Sequence, residues 1–162
     1  MSQLGFSHFT RNALIASVLA WTALPGLAGS ACTVTVLSAL AFGPYDVFSA
    51  SATTGTGSFA VRNCTSGKTA YTASLSTGSG TFANRSLSAQ APLTDKMQYN
   101  LYTDNTYTSI WGDGTNSSST VNGNGTTRST GGTTKTIYGR IPAAQDVSAG
   151  NYSDSITITI SF

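Results

Sequence analysis

The residue types that most often carry enzymatic chemistry are scarce in this chain. Of its 162 residues one is histidine, His8, none is glutamate, and the six acidic residues are all aspartate. A Ser-His-Asp triad, a Cys-His pair and a histidine-containing zinc site each need a histidine in the folded part. Asp46, Asp104 and Asp154 stand in or beside turn-like stretches, where a carboxylate hydrogen-bonds local backbone N–H groups. No two carboxylates occupy a recognisable setting for the paired acid and base of glycoside hydrolysis. Trp111-Gly112-Asp113-Gly114 joins an aromatic ring to an Asp-Gly pair, which suits sugar stacking or calcium. Its aspartate spacing does not match a calcium loop, and Asp-Gly is ordinary turn composition. The expectation is a non-enzymatic protein with no catalytic residue, no cofactor and no metal.

Cys32 and Cys64 are the only cysteines. An even count in an exported chain reads as a disulfide, whereas a metal or redox pair would want closer spacing. A bridge closing a loop of this length stabilises by roughly 3–4 kcal/mol in the chain-entropy picture.

Export is read from the N-terminus. Arg11 supplies a positive start, Ala13 to Leu24 carries no charge, and Pro25-Gly26-Leu27-Ala28-Gly29-Ser30-Ala31 is small-residue composition of the kind that signal peptidase cuts. The apolar run is short for a membrane span and no stop-transfer charge follows it. Residues 1–30 are therefore expected to be a signal peptide, with cleavage after Ala28, Ser30 or Ala31. Residues 31–162 are expected to be one domain without an integral membrane segment. Seven Lys and Arg then face six Asp, so there is no basic field for nucleic acid.

Along that domain the apolar residues recur with period two. Thr33 to Leu37 alternates and runs on through Ala41-Phe42 to a turn expected at Gly43-Pro44-Tyr45-Asp46. Ser49 to Gly57 reads as loop. Ser58 to Cys64 and Thr69 to Leu75 read as strands joined by a tight Thr65-Ser66-Gly67-Lys68 turn, that is, as a hairpin. Residues 76–95 look irregular. Lys96 to Thr103 reads as a strand with Met97, Tyr99 and Leu101 on one face, and Tyr107 to Trp111 as its return. Gly112 to Thr134 is almost all Gly, Ser, Thr and Asn and reads as a long, partly ordered hairpin. Lys135 to Ile141 is a further strand, stopped by Pro142. Tyr71, Tyr99, Tyr102, Tyr138 and Tyr152 are read as sandwich aromatics, and the five Asn-x-Ser/Thr triplets as chance in so polar a chain. No helical periodicity is present beyond the N-terminus. Short strands punctuated by turns argue a single β-sandwich.

The last stretch is the most strongly patterned. Ile156, Ile158, Ile160 and Phe162 point one way while Ser155, Thr157, Thr159 and Ser161 point the other. A strand this apolar on one face belongs inside a sheet, since an uncovered edge beside it pairs with other chains. The sequence offers no later segment to be its neighbour. A second protein is expected to supply one, with these four residues as the strand-acceptor and chaperone-binding edge.

Several phrases then fall together in order: Ala31-Cys32-Thr33-Val34, Phe42-Gly43-Pro44-Tyr45-Asp46, Tyr99-Asn100-Leu101-Tyr102-Thr103-Asp104, Trp111-Gly112-Asp113-Gly114, Tyr138-Gly139-Arg140-Ile141-Pro142 and Gly150-Asn151-Tyr152-Ser153-Asp154. Residues 31–162 resemble the spore coat protein U domain family, which includes pilins of the archaic (Csu-type) chaperone–usher pathway. The resemblance implies an immunoglobulin-like sandwich lacking its last strand. It implies a periplasmic chaperone that lends a strand, an outer-membrane usher, and other pilin or coat subunits whose N-terminal extension replaces the chaperone's strand. Location would be the periplasm in transit, then a fimbrium or coat, with a role in adhesion and biofilm. Ahead of Cys32 the mature chain would hold too few residues to donate a strand, so it is expected to accept one without giving one. The other reading is a single-domain surface- or glycan-binding module, or a secreted coat protein that does not polymerise.

Overall fold

The computed structural model describes residues 13–16, 18–20, 32–65, 69–127 and 133–162. Its strands are β1 (Ala13–Ala16), β2 (Val18–Ala20), β3 (Thr33–Tyr45), β4 (Thr53–Arg62), β5 (Thr69–Leu75), β6 (Arg85–Ala89), β7 (Lys96–Tyr102), β8 (Val121–Gly125), β9 (Thr134–Ile141), β10 (Asn151–Ser153) and β11 (Ser155–Ser161). No helix occurs among the described residues. One sheet runs β1-β10-β6-β7-β9-β4-β3 and closes on itself because β1 also pairs with β3; the other runs β2-β11-β5-β8. Pairs of named strands are antiparallel except β1 with β10 and β2 with β11.

This is an all-β, sandwich-like fold. Alternate residues of each sheet face the other, as the period of two requires. Phe59 and Val61 of β4, Leu101 of β7 and Ile137 of β9 share one buried cluster with Tyr71, Ala73 and Leu75 of β5 and Ile156 and Ile158 of β11. Each such side chain contributes roughly 1.5–3 kcal/mol when fully buried. Trp111 ties the layers together: it is 1% exposed, its ring centroid lies 6.0 Å from that of Phe59, and its indole N–H donates to the Ala73 carbonyl at 3.1 Å.

Several expectations are corrected. The Gly43–Asp46 turn does not form there; β3 runs unbroken to Tyr45, because β1 pairs along Ala41 to Tyr45 and overrides the local turn signal. Ser49–Gly57 is loop only in its first half, since β4 starts at Thr53. Gly55 belongs in that strand because a Cβ there would run into the Ala41 carbonyl of β3. The hairpin expected between β4 and β5 is absent: β4 pairs with β3 and β9, and β5 with β11 and β8, so the chain changes sheets between them. The turn residues 66–68 lie outside the described residues.

Residues 76–95 hold β6, and the Gly- and Asn-rich stretch holds β8 on β5, so that stretch is not one hairpin; its residues 128–132 lie outside the described residues. Tyr107–Trp111 makes only isolated bridges. Tyr71, Tyr99 and Tyr152 are core, while Tyr102 and Tyr138 are half-buried.

Cys32 and Cys64 are joined by a disulfide, with Cα atoms 4.0 Å apart. It clamps the start of β3 to the residues just past β4. Replacing both cysteines by serine should lower unfolding stability by roughly 2–5 kcal/mol in chemical denaturation. The unreduced native protein should show no alkylatable thiol by mass spectrometry.

Candidate strand-acceptor groove

The groove is built from two strand edges. One belongs to β10 and β11, which are a single run interrupted at Asp154. On its inner side this run passes from one sheet to the other: Tyr152 and Ser153 pair with Ala89 and Ser88 of β6, and Ile158 to Ser161 pair with Leu75 to Thr72 of β5. Asp154 fixes the crossing point. It is 5% exposed, accepts from the Ser79 N–H at 3.0 Å, the Ser79 hydroxyl at 2.8 Å and the Ser155 N–H at 2.9 Å, and takes the Tyr99 hydroxyl at 2.7 Å. Burial first, and the bond to Asp154 second, push the Tyr99 hydroxyl's pKa well up, so it stays a donor. Gly78, at φ +61°, leaves the room: a Cβ there would occupy the Asp154 carboxylate. Asp154 was expected to bond local backbone; it does so at the Ser155 N–H, and its bonds to Ser79 and Tyr99 make it a long-range anchor as well.

A second buried group supports the same corner. Arg85 is 0% exposed and donates to Asn100 Oδ1 at 2.7 Å, to the Trp111 carbonyl at 2.8 Å and to the Ser76 carbonyl at 2.8 Å. Burial lowers its pKa, and the nearby Tyr99 and Asp154 oppose that shift. Asn100 in turn donates to the Phe82 and Ala83 carbonyls. Ser76 then bonds β11 in both directions, its N–H to the Thr157 carbonyl at 3.0 Å and its hydroxyl oxygen accepting from the Thr157 N–H at 2.9 Å.

The facing edge belongs to β3. Between the two edges lies the chain's own 13–20 stretch. Leu14 and Ile15 pair with Asn151 and Tyr152, and Val18, Leu19 and Ala20 with Ser155, Ile156 and Thr157, in one continuous parallel register. On the other side Ala13 to Ala16 pair antiparallel with Tyr45 to Ala41. The stretch expected to serve only as an export signal is thus, in this structure, a strand seated in the groove.

That strand covers half the groove. Beyond it, β3 from Thr33 to Ala39 has no paired strand on the side away from β4, nor has β11 from Ile158 to Ser161 on the side away from β5, among the described residues. The open length of β3 carries exposed apolar side chains, Val36 and Leu37, each 43% exposed, while Phe162, 57% exposed, borders a cavity lined by Tyr71 and Thr72 of β5 and Asn122 to Asn124 of β8. The four residues expected to form the acceptor edge therefore divide. Ile156 and Ile158 are core, at 1% and 3% exposure; Ile160 is half-buried, and Phe162 stands open. Sequence reasoning missed the opposite wall, β3, whose pairing along two sides no period of two announces.

The other candidates resolve as structural. Trp111 is buried and offers no sugar platform, and Asp113 accepts from the Thr115 N–H at 2.9 Å and hydroxyl at 2.7 Å as a turn residue does. Asp46 and Asp104 likewise accept from the Phe48 and Thr106 N–H groups, at 2.9 and 2.8 Å. No three His, Cys, Asp or Glu side chains converge on a metal site among the described residues. No described helix is long and apolar enough to cross a membrane.

An all-β sandwich whose first and last domain strands leave an apolar groove between them describes a class of fimbrial and coat-type subunits. The chain matches the family described as Spore Coat Protein U domain over residues 22–159, and it belongs to that family. This is a family of structural, pilin-type domains rather than of enzymes, and it implies an extracellular fimbrial or coat subunit. No curated protein matches the chain.

Two outcomes follow from the anchors beside the groove. Asp154→Ala strands the Tyr99 hydroxyl and the Ser79 donors in a buried corner and should cost roughly 3 kcal/mol or more in urea denaturation, with Asp154→Asn costing less. Asp95 receives the Ser148 N–H at 2.7 Å, and these bonds from Ser148, with a weaker one from Tyr152, hold its carboxyl below the usual carboxylate range. A depressed folded-state value stabilises above the unfolded value of about 3.9 and is lost as pH falls through the folded value. Asp95→Asn should flatten that acid limb of a stability-against-pH profile.

Proposed function

We propose that this chain is an exported, non-enzymatic structural subunit of a bacterial surface fibre or coat, assembled by donor-strand complementation. In this reading residues 1–30 are removed on export, which empties the groove between β3 and β10–β11. A periplasmic chaperone fills it first, and at an outer-membrane usher a strand from another subunit replaces the chaperone's. Ile156, Ile158, Ile160 and Phe162 form the apolar wall met by the donated strand. Adhesion and biofilm formation are the roles such an assembly would serve.

One observation carries the reading: an apolar strand from outside the β3–β11 domain pairs with both edges at once. A strand so placed satisfies two rows of backbone groups and covers apolar surface in the same event, which is how strand addition binds. The open length of β3, with Val36 and Leu37 exposed on it, is where a longer donor would add contacts. The scarcity of proton-transfer residues and the family's structural character support the non-enzymatic side.

Residues 31–162 expressed alone should give little soluble monomer. A peptide spanning Ala13–Leu24, or a cognate chaperone, should restore it and raise the melting temperature in proportion to ligand concentration, as any ligand of the native state does. A stable monomer whose melting temperature ignores the added strand would overturn the proposal.

A further inference from the structure

A second recess lies on strands that take no part in the groove. Along β7 and β9, on the face turned away from the core, a cavity of about 240 Å³ opens between Asn84, Gln98, Tyr102, Arg140 and Pro142, with Asn100 in its floor. Asn100 stands opposite Arg140 in the strand register. Its amide is fully committed to Arg85, Phe82, Ala83 and the Leu101 N–H, so the floor is rigid.

The wall is different in kind. The Arg140 guanidinium lies 5.7 Å from the Tyr107 ring centroid, and Tyr107 meets Tyr102 edge-on, with centroids 5.5 Å apart and planes at 88°. Tyr107 holds this place at φ +57°, a conformation costly for a residue with a Cβ, and Asp104 braces its loop by accepting from the Thr106 N–H at 2.8 Å. Arg140 is exposed and forms no ion pair with a described carboxylate. An arginine laid against an aromatic face has lost much of its rotamer freedom already, and its fork of N–H groups remains unspent. The side-chain amides of Asn84 and Gln98 supply both donors and acceptors within the same recess.

We infer that this recess binds one carboxylate-bearing sugar unit, such as a uronic acid. The arginine fork matches a carboxylate with two parallel hydrogen bonds. The two amides match hydroxyls, which need a donor and an acceptor each, and the Tyr102 ring offers an apolar surface for the C–H face of a pyranose. The volume is below the roughly 300–1,000 Å³ of pockets that take larger organic ligands, so it takes a single ring. The recess lies outside the β3–β11 groove, so it stays open whatever strand occupies that groove.

The test is a titration of the isotope-labelled full chain, followed by NMR, with D-galacturonate, with galactose as its uncharged twin, with acetate as the carboxylate alone, and with trigalacturonate. Galacturonate should produce saturable shifts at the Arg140 side chain and the Gln98, Asn100 and Tyr102 amides. Galactose and acetate should bind roughly tenfold or more weakly, because each leaves part of the site unpaired. Trigalacturonate should bind within a few-fold of the monomer. Arg140→Gln should lose about tenfold in affinity and Arg140→Lys less, since lysine keeps the charge without the fork. Arg140 is exposed, so these variants should fold, and the buried Trp111 indole resonance checks that they have; Asn84→Ala, also at an exposed position, is the second variant and should weaken galacturonate alone. Equal binding of galacturonate and acetate, indifference to Arg140→Gln, or a trimer bound a hundredfold more tightly would each overturn the single-unit acidic-sugar site.

Discussion

Two strand edges, of β3 and of β10–β11, lie on one side of the sandwich and do not pair with each other. That constraint governs the rest. The first long strand and the last one are each half of a ladder, and a buried or apolar ladder edge must find partners for its N–H and C=O groups. Among the described residues the stretch that meets both is a short apolar one with no charge to desolvate. The same chemistry that lets Ala13–Ala20 pass for an export signal, apolar and free of ions, is what a dry inter-strand slot demands.

The corner beside the slot is stabilised by polar bonds as well as by hydrocarbon. A carboxylate and a guanidinium, both nearly inaccessible, are satisfied by separate sets of partners instead of by each other. Asp154 gathers donors from the 78–79 turn and from Tyr99, and Arg85 gathers carbonyls from Ser76 and Trp111 and the amide oxygen of Asn100. Buried charges are tolerable when their bonds are saturated, and their directionality fixes geometry where apolar contacts would let strands slide. The last strand has to leave one sheet and join the other at a single residue, and this arrangement gives that residue no second position.

How much of this the sequence disclosed depended on what each segment's burial looks like. β5 and β7 were legible because Tyr71, Ala73 and Leu75, and Met97, Tyr99 and Leu101, put one side in the core with polar residues between. β11 was legible for Ile156 and Ile158, and the pattern outran the burial at Ile160 and Phe162. β6 was not legible, since Arg85 and Ser86 are buried by bonds to Ser76, Ser79, Asn100 and Trp111 that no local pattern announces, and read locally as surface. β8 was opaque too: Val121-Asn122-Gly123-Asn124-Gly125 has poor strand propensity and is a strand because β5 offers it hydrogen bonds. Pairing partners were the weakest inference, because alternation tells which face is inward and not which strand lies alongside. For the same reason the inward face of the last strand could be read from its alternation, and the pairing of β3 on two sides could not.

The covalent bond between Cys32 and Cys64 has a mechanical side. β3 and β4 are neighbours in one ladder, and the bridge joins the beginning of the first to the end of the second. Tension applied to the chain ahead of Cys32 therefore does not peel β3 away one hydrogen bond at a time. It crosses the sulfur atoms to Cys64 and enters at the far end of β4, a strand held on both sides by β3 and β9. The residues between the two cysteines form a closed loop that cannot lengthen under load. A pull on this end of the domain therefore loads a covalent bond before it loads the first hydrogen bonds of β3.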